Sequence, residues 1–107
     1  MQTFQPVVVM MTAPDQSTAT SIADRLLAQR LCACVNVVPQ VHSLFFWQGE
    51  FQNAEECLCL IKTGLHLMPQ VEKEIRSAHP YEVPEIIALP VAWSNADFVA
   101  WIESTVC

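Results

Sequence analysis

Two long stretches of strand-forming residues flank a single turn signal, and this pairing constrains the chain more than any other feature. Cys34 to Trp47 carries Val35, Val37, Val38, Val41, Leu44, Phe45, Phe46 and Trp47, and a second β-like run extends from Phe51 to Thr63. Between them Gln48-Gly49-Glu50 reads as a turn. The two runs form one hairpin whose arms each exceed ten residues, against the five or six of an ordinary strand. Arms of that length overhang a domain of 107 residues and must pair with something, which points to association with further copies of the chain. Pro39 lies inside the first arm and has no N–H to give to a ladder, so it marks a bend, a bulge or a sheet edge.

The rest of the chain supplies what such a hairpin packs against. Val7 to Met11 is a short apolar run that reads as a strand buried on both faces. Asp15 is placed to cap a helix in which Ala19, Ile22, Ala23, Leu26 and Leu27 recur at helical spacing, running to about Arg30. A second helix spans Leu67 to Ala78, with Pro69 in its first turn and Met68, Val71 and Ile75 as its apolar stripe. His79-Pro80 stops it. A fourth strand follows over Val83 to Val91, and Asn95 caps a last helix with Phe98, Trp101 and Ile102 on its inner face. The order β-α-β-β-α-β plus a C-terminal helix predicts an α+β, ferredoxin-like fold with helices on one face of an antiparallel sheet, as one domain over residues 1–107.

Composition narrows the function. Hydrophobic residues make up 52% of the chain and charged residues 15%. The charged share is well below the roughly 25% usual for globular proteins, which fits a surface partly buried between copies. The net charge of −6 leaves no basic footprint for nucleic acid. No apolar run reaches membrane-spanning length, and the first basic residue is Arg25, so the expected location is the cytoplasm, with the five cysteines as free thiols. Cys32-x-Cys34 and Cys57-x-Cys59 resemble zinc-ligand pairs, but the spacing is too tight. The expected hairpin register also sets Cys57 opposite Val41 or His42, roughly 23 Å from Cys34 at ~3.3 Å per residue. These thiols read as small core hydrophobes, and Cys107 as an oxidisable terminal thiol. No Gly-rich phosphate loop, nucleophile elbow or base–nucleophile pair is visible, so the chain is not expected to be an enzyme.

The densest polar cluster is His79-Pro80-Tyr81-Glu82-Val83-Pro84-Glu85. Two prolines stiffen one imidazole, one phenol and two carboxylates, a set that suits a borderline divalent metal, a polar small molecule, or a rigid hydrogen-bonded corner. Trp47 and Trp93 are candidate pocket walls, and Lys62 a partner for a carboxylate or an anion. Glu55-Glu56 reads as a solvated strand end, and His42 and His66 as ordinary isolated histidines.

These residues carry a resemblance. Thr12-Ala13-Pro14, Leu31-Cys32-Ala33-Cys34-Val35-Asn36, Trp47-Gln48-Gly49-Glu50, Ile61-Lys62-Thr63 and above all His79 through Ile86 are similar to the CutA divalent-cation-tolerance proteins over nearly the whole chain. The resemblance implies a fold close to the PII signalling proteins, a homotrimer with hairpins paired edge to edge between subunits, and binding of copper or other divalent cations. Some bacterial members carry Cys where this chain has Met11 and a second His where it has Ala78, beside the His that matches His79. The resemblance therefore implies a metal set of His79 and Met11, completed by Glu82, Glu85 or a neighbouring subunit. A thioether such as Met11 suits Cu(I) better than Cu(II). Two further readings remain open: a PII-like module that senses a small molecule through Trp47, Lys62, Tyr81 and Glu85, and a stable trimeric scaffold without a metal role.

Overall fold

The computed structural model describes residues 3–107. The elements are β1 (Pro6–Ala13), α1 (Gln16–Ala28), β2 (Cys34–Trp47), β3 (Glu50–Gly64), a 3-10 turn (Leu65–Leu67), α2 (Met68–Ala78), β4 (Ile87–Pro90) and α3 (Ala96–Thr105). The strands form one antiparallel sheet in the order β2-β3-β1-β4. This is the expected α+β, ferredoxin-like arrangement. The apolar faces of α1 (Ala19, Ile22, Leu26) and α2 (Val71, Ile75) form one buried cluster with Val7, Val9, Met11 and Ala13 of β1 and Cys57, Cys59 and Ile61 of β3.

Asp15 caps α1 as its position predicts, its side chain accepting from the Thr18 N–H at 2.7 Å. These bonds to Thr18 hold the Asp15 carboxyl below its usual range. The helix ends at Ala28, two residues before Arg30, because Arg30 adopts a left-handed φ of 54°. The Arg30 N–H reaches the Leu27 carbonyl and the Leu31 N–H reaches that of Leu26, a Schellman closure built without glycine.

The hairpin runs the full predicted length. Trp47 pairs with Glu50 across a two-residue loop in which Gln48 (φ 50°) and Gly49 (φ 79°) both take positive φ, the turn whose twist matches a hairpin. Pro39 resolves as a bulge on an edge strand: the register jumps between Val38↔Leu58 and Val41↔Glu56. The bulge sets Cys57 against Pro39, whose carbonyl accepts from the Cys57 thiol, not against Val41 or His42. Cys34 lies opposite Lys62, five positions along β3 from Cys57. The expected separation of the two cysteine pairs along the hairpin therefore holds at a shorter distance.

Four further expectations need correction. β1 is not buried on both faces; Val7, Val9, Met11 and Ala13 are buried beneath α1 and α2, whereas Val8, Met10 and Thr12 are half-buried on the opposite face. The fourth strand is confined to Ile87–Pro90. Pro84 lacks the N–H a ladder needs, and Val83 to Ile86 run outside the sheet. In α3 only Ile102 is buried; Phe98 and Trp101 stay exposed and pack on each other with ring centroids 5.5 Å apart. Asn95 sits at the N-cap of α3, but its amide donates to Asp97 instead of capping a backbone N–H.

The sheet face opposite α1 and α2 is apolar, and those two helices leave it uncovered. Val38, Ile87 and Leu89 are exposed there, beside half-buried Val8, Met10, Leu58 and Leu60. The hairpin tip exposes Leu44, Phe46 and Phe51, and the molecule measures 46 × 26 × 24 Å.

Candidate functional site

On the uncovered face, a cavity of about 780 Å³ opens between the outer half of the hairpin and the segment that follows α2. Beyond the Pro39 bulge, Ser43, Phe45 and Trp47 of β2 share one face with Gln52 and Glu56 of β3 and line one wall. The opposite wall is Pro80, Tyr81, Glu82, Val83 and Glu85, and Thr12 of β1 contributes to the lining as well. Among the described residues that line it, three are glutamates and none is a lysine, arginine or histidine.

A chain of hydrogen bonds fixes the polar end of this cavity. The His79 ring is buried, and its Nδ1 accepts from the Tyr81 N–H at 3.1 Å. Nδ1 therefore carries no proton, and Nε2–H donates to the Thr12 carbonyl at 2.7 Å. Tyr81 lies against His79 with ring centroids 4.6 Å apart, and its hydroxyl donates to Glu56 Oε2 at 2.7 Å. Glu56 is only 7% exposed, so the Tyr81 bond offsets a real desolvation cost. Burial of the Tyr81 phenol, followed by its bond to Glu56, raises its pKa strongly and keeps it protonated as a donor. Glu85 is pushed above the usual carboxylate range, first by burial and then by the charge of Glu56.

The structure brings together only part of the predicted metal set. Glu82, Glu85, Tyr81 and Trp47 meet at the cavity. Met11 does not: it is fully buried on the helix side of β1, where no ion reaches its sulfur. His79 touches the cavity through Tyr81, but both of its ring nitrogens are engaged, so it positions the loop and offers no free lone pair. The copper-type pairing of Met11 with His79 thus does not fit this arrangement. Lys62 is also absent; its ammonium bonds Asn36 Oδ1, roughly 20 Å along β3 from Glu56. Among the described residues, no group of three or more His, Cys, Asp or Glu side chains assembles to hold a metal ion. The core thiols do not offer a site either, since burial lifts Cys32 to about 12 and Cys59 to about 11.

Sequence reasoning missed Glu56 and Phe45. Glu56 was expected at a solvated strand end, and its neighbour Glu55 is indeed exposed, accepting from Gln40. The available signal was the period of β3: Glu56 shares a face with Ala54 and Leu58, not with Glu55. A second hollow, of about 660 Å³, lies at His66, Glu103 and Cys107, but the His66 Nε2 is already bonded to the Cys107 carbonyl oxygen and the Cys107 thiol to Gln29.

Comparison with known proteins agrees with this architecture. Residues 7–105 match the family model of the CutA1 divalent ion tolerance protein. The divalent-cation tolerance protein CutA of Thermus thermophilus is 43% identical over 96 residues, covering 90% of this chain and 93% of that protein. The solved structure of a Thermus thermophilus divalent cation tolerance protein superposes with a TM-score of 0.93 over 95% of this chain and 99% of its own. CutA1 from Oryza sativa, 32% identical, superposes with a TM-score of 0.94 over 98% of this chain and 96% of its own. The mouse protein CutA is 41% identical over 92 residues, and this chain spans about half of that relative's length, 52%. Among the described residues no helix is long and apolar enough to cross a membrane. With its family match covering nearly every described element, the chain belongs to the CutA1 divalent ion tolerance family.

Proposed function

We propose that this chain is a cytoplasmic, non-enzymatic homotrimer that binds cations at the cavity between the hairpin and the Tyr81–Glu85 segment, and so contributes to divalent-cation tolerance. The observation that carries the reading is the lining itself: Glu56, Glu82 and Glu85 with no cationic side chain among them. Burial, and after it the charge of Glu56, raises the Glu85 carboxyl above its usual range. A cation between them removes that repulsion. Two carboxylates completed by water are the donor set that a hydrated divalent ion uses. Cu(II) accepts oxygen donors and stands at the top of the affinity order for such ions, so copper is within reach of this site. Cu(I) is disfavoured, because the only thioether of the expected set, Met11, is closed off in the core.

The trimer is supported by the uncovered apolar face and by the long edge strand β2. An exposed apolar face of a sheet with unpaired edge strands favours closure against further copies. The test is isothermal titration of the intact assembly with Mn(II), Zn(II) and Cu(II), for the unmodified chain and for Glu56→Gln and Glu85→Gln. Each variant should lose at least tenfold in affinity, about 1.4 kcal/mol. Affinities that stay unchanged in both variants, or that fall only in His79→Gln, refute the assignment.

A further inference from the structure

We draw no further inference here: the strongest candidate, the exposed apolar patch of Leu44, Phe46 and Phe51 at the tip of the β2–β3 hairpin, carries nothing, because nothing in the structure shows what covers it.

Discussion

Met11 and Thr12 are consecutive on β1, yet the sheet sends them to opposite sides. Met11 sits beneath α1 and α2, fully buried with Val9, Cys59 and Ile75. Thr12 lies on the other face, lines the cavity, and gives its carbonyl to His79. The helix side is closed by packing, and its cysteines and methionine act as core hydrophobes. The other side is where carboxylates and aromatic rings meet. A strand's period of two therefore decides which of two adjacent residues is able to do chemistry. A ligand set that spans both sides, such as Met11 with Glu85, is not available to one ion.

Substitutions that act on one side only break this comparison. The largest effect is expected on the closed side. Met11→Ala should cost about 2–5 kcal/mol of folding stability through the cavity it leaves, and should not alter cation affinity. Chemical denaturation followed by titration of the folded fraction checks both halves. On the open side, Tyr81→Phe removes the donor to Glu56 and strands a nearly buried carboxylate. A loss of about 1.5–3 kcal/mol is expected, the cost of an unmade hydrogen bond to a charged group. Unlike Met11→Ala, this change should also move cation affinity, because Glu56 loses the bond that orients it.

Assembly supplies a third contrast. Ile87 and Leu89 are exposed on the open face. Ile87→Glu with Leu89→Glu should leave the secondary structure intact by circular dichroism and shift the native mass from that of the proposed trimer toward monomer. A trimer that survives this double change does not use the face.

The smallest effect is a pH dependence. The Glu85 carboxyl is raised in the folded chain, so the folded state holds its proton to higher pH than the unfolded state does. Stability from this group is present at low pH and is lost as pH rises through the carboxylate range toward the raised folded value. Glu85→Gln should therefore match the unmodified chain in melting temperature near pH 4 and exceed it slightly at pH 7. Added Mn(II) should reverse the order at pH 7, because only the carboxylate form binds the ion. A difference that does not change with pH would show that Glu85 is not in this environment.

Much of this molecule was legible in its residues. The hairpin, its turn at Gln48-Gly49, the two main helices and the Asp15 cap follow from periodicity and local hydrogen bonding, which a sequence displays directly. The bulge at Pro39 was legible as an irregularity but not as a shift in register, since that depends on which carbonyl Cys57 finds across the strand. Tyr81, Glu82, Glu85 and Trp47 were chosen by type and by proline-stiffened spacing, and the fold brings all four to one cavity. Glu56 was not legible. Its role depends on a bond to Tyr81, 25 positions away, and a carboxylate beside Glu55 looks solvated until that partner is placed. Lys62 was misplaced for the converse reason: it shares the sheet face of Glu56 but sits far along the strand, paired with Asn36. His79 was found, but the two bonds that occupy its ring become visible only with backbone geometry.

Anomalous diffraction from crystals of the assembly soaked in Mn(II), then in Cu(II), tests the central claim most directly. The account predicts one peak per chain within coordination distance of Glu56 and Glu85, and no peak near the Met11 sulfur. A peak bridging Met11 and His79, with the Tyr81 N–H displaced from the imidazole, would contradict it.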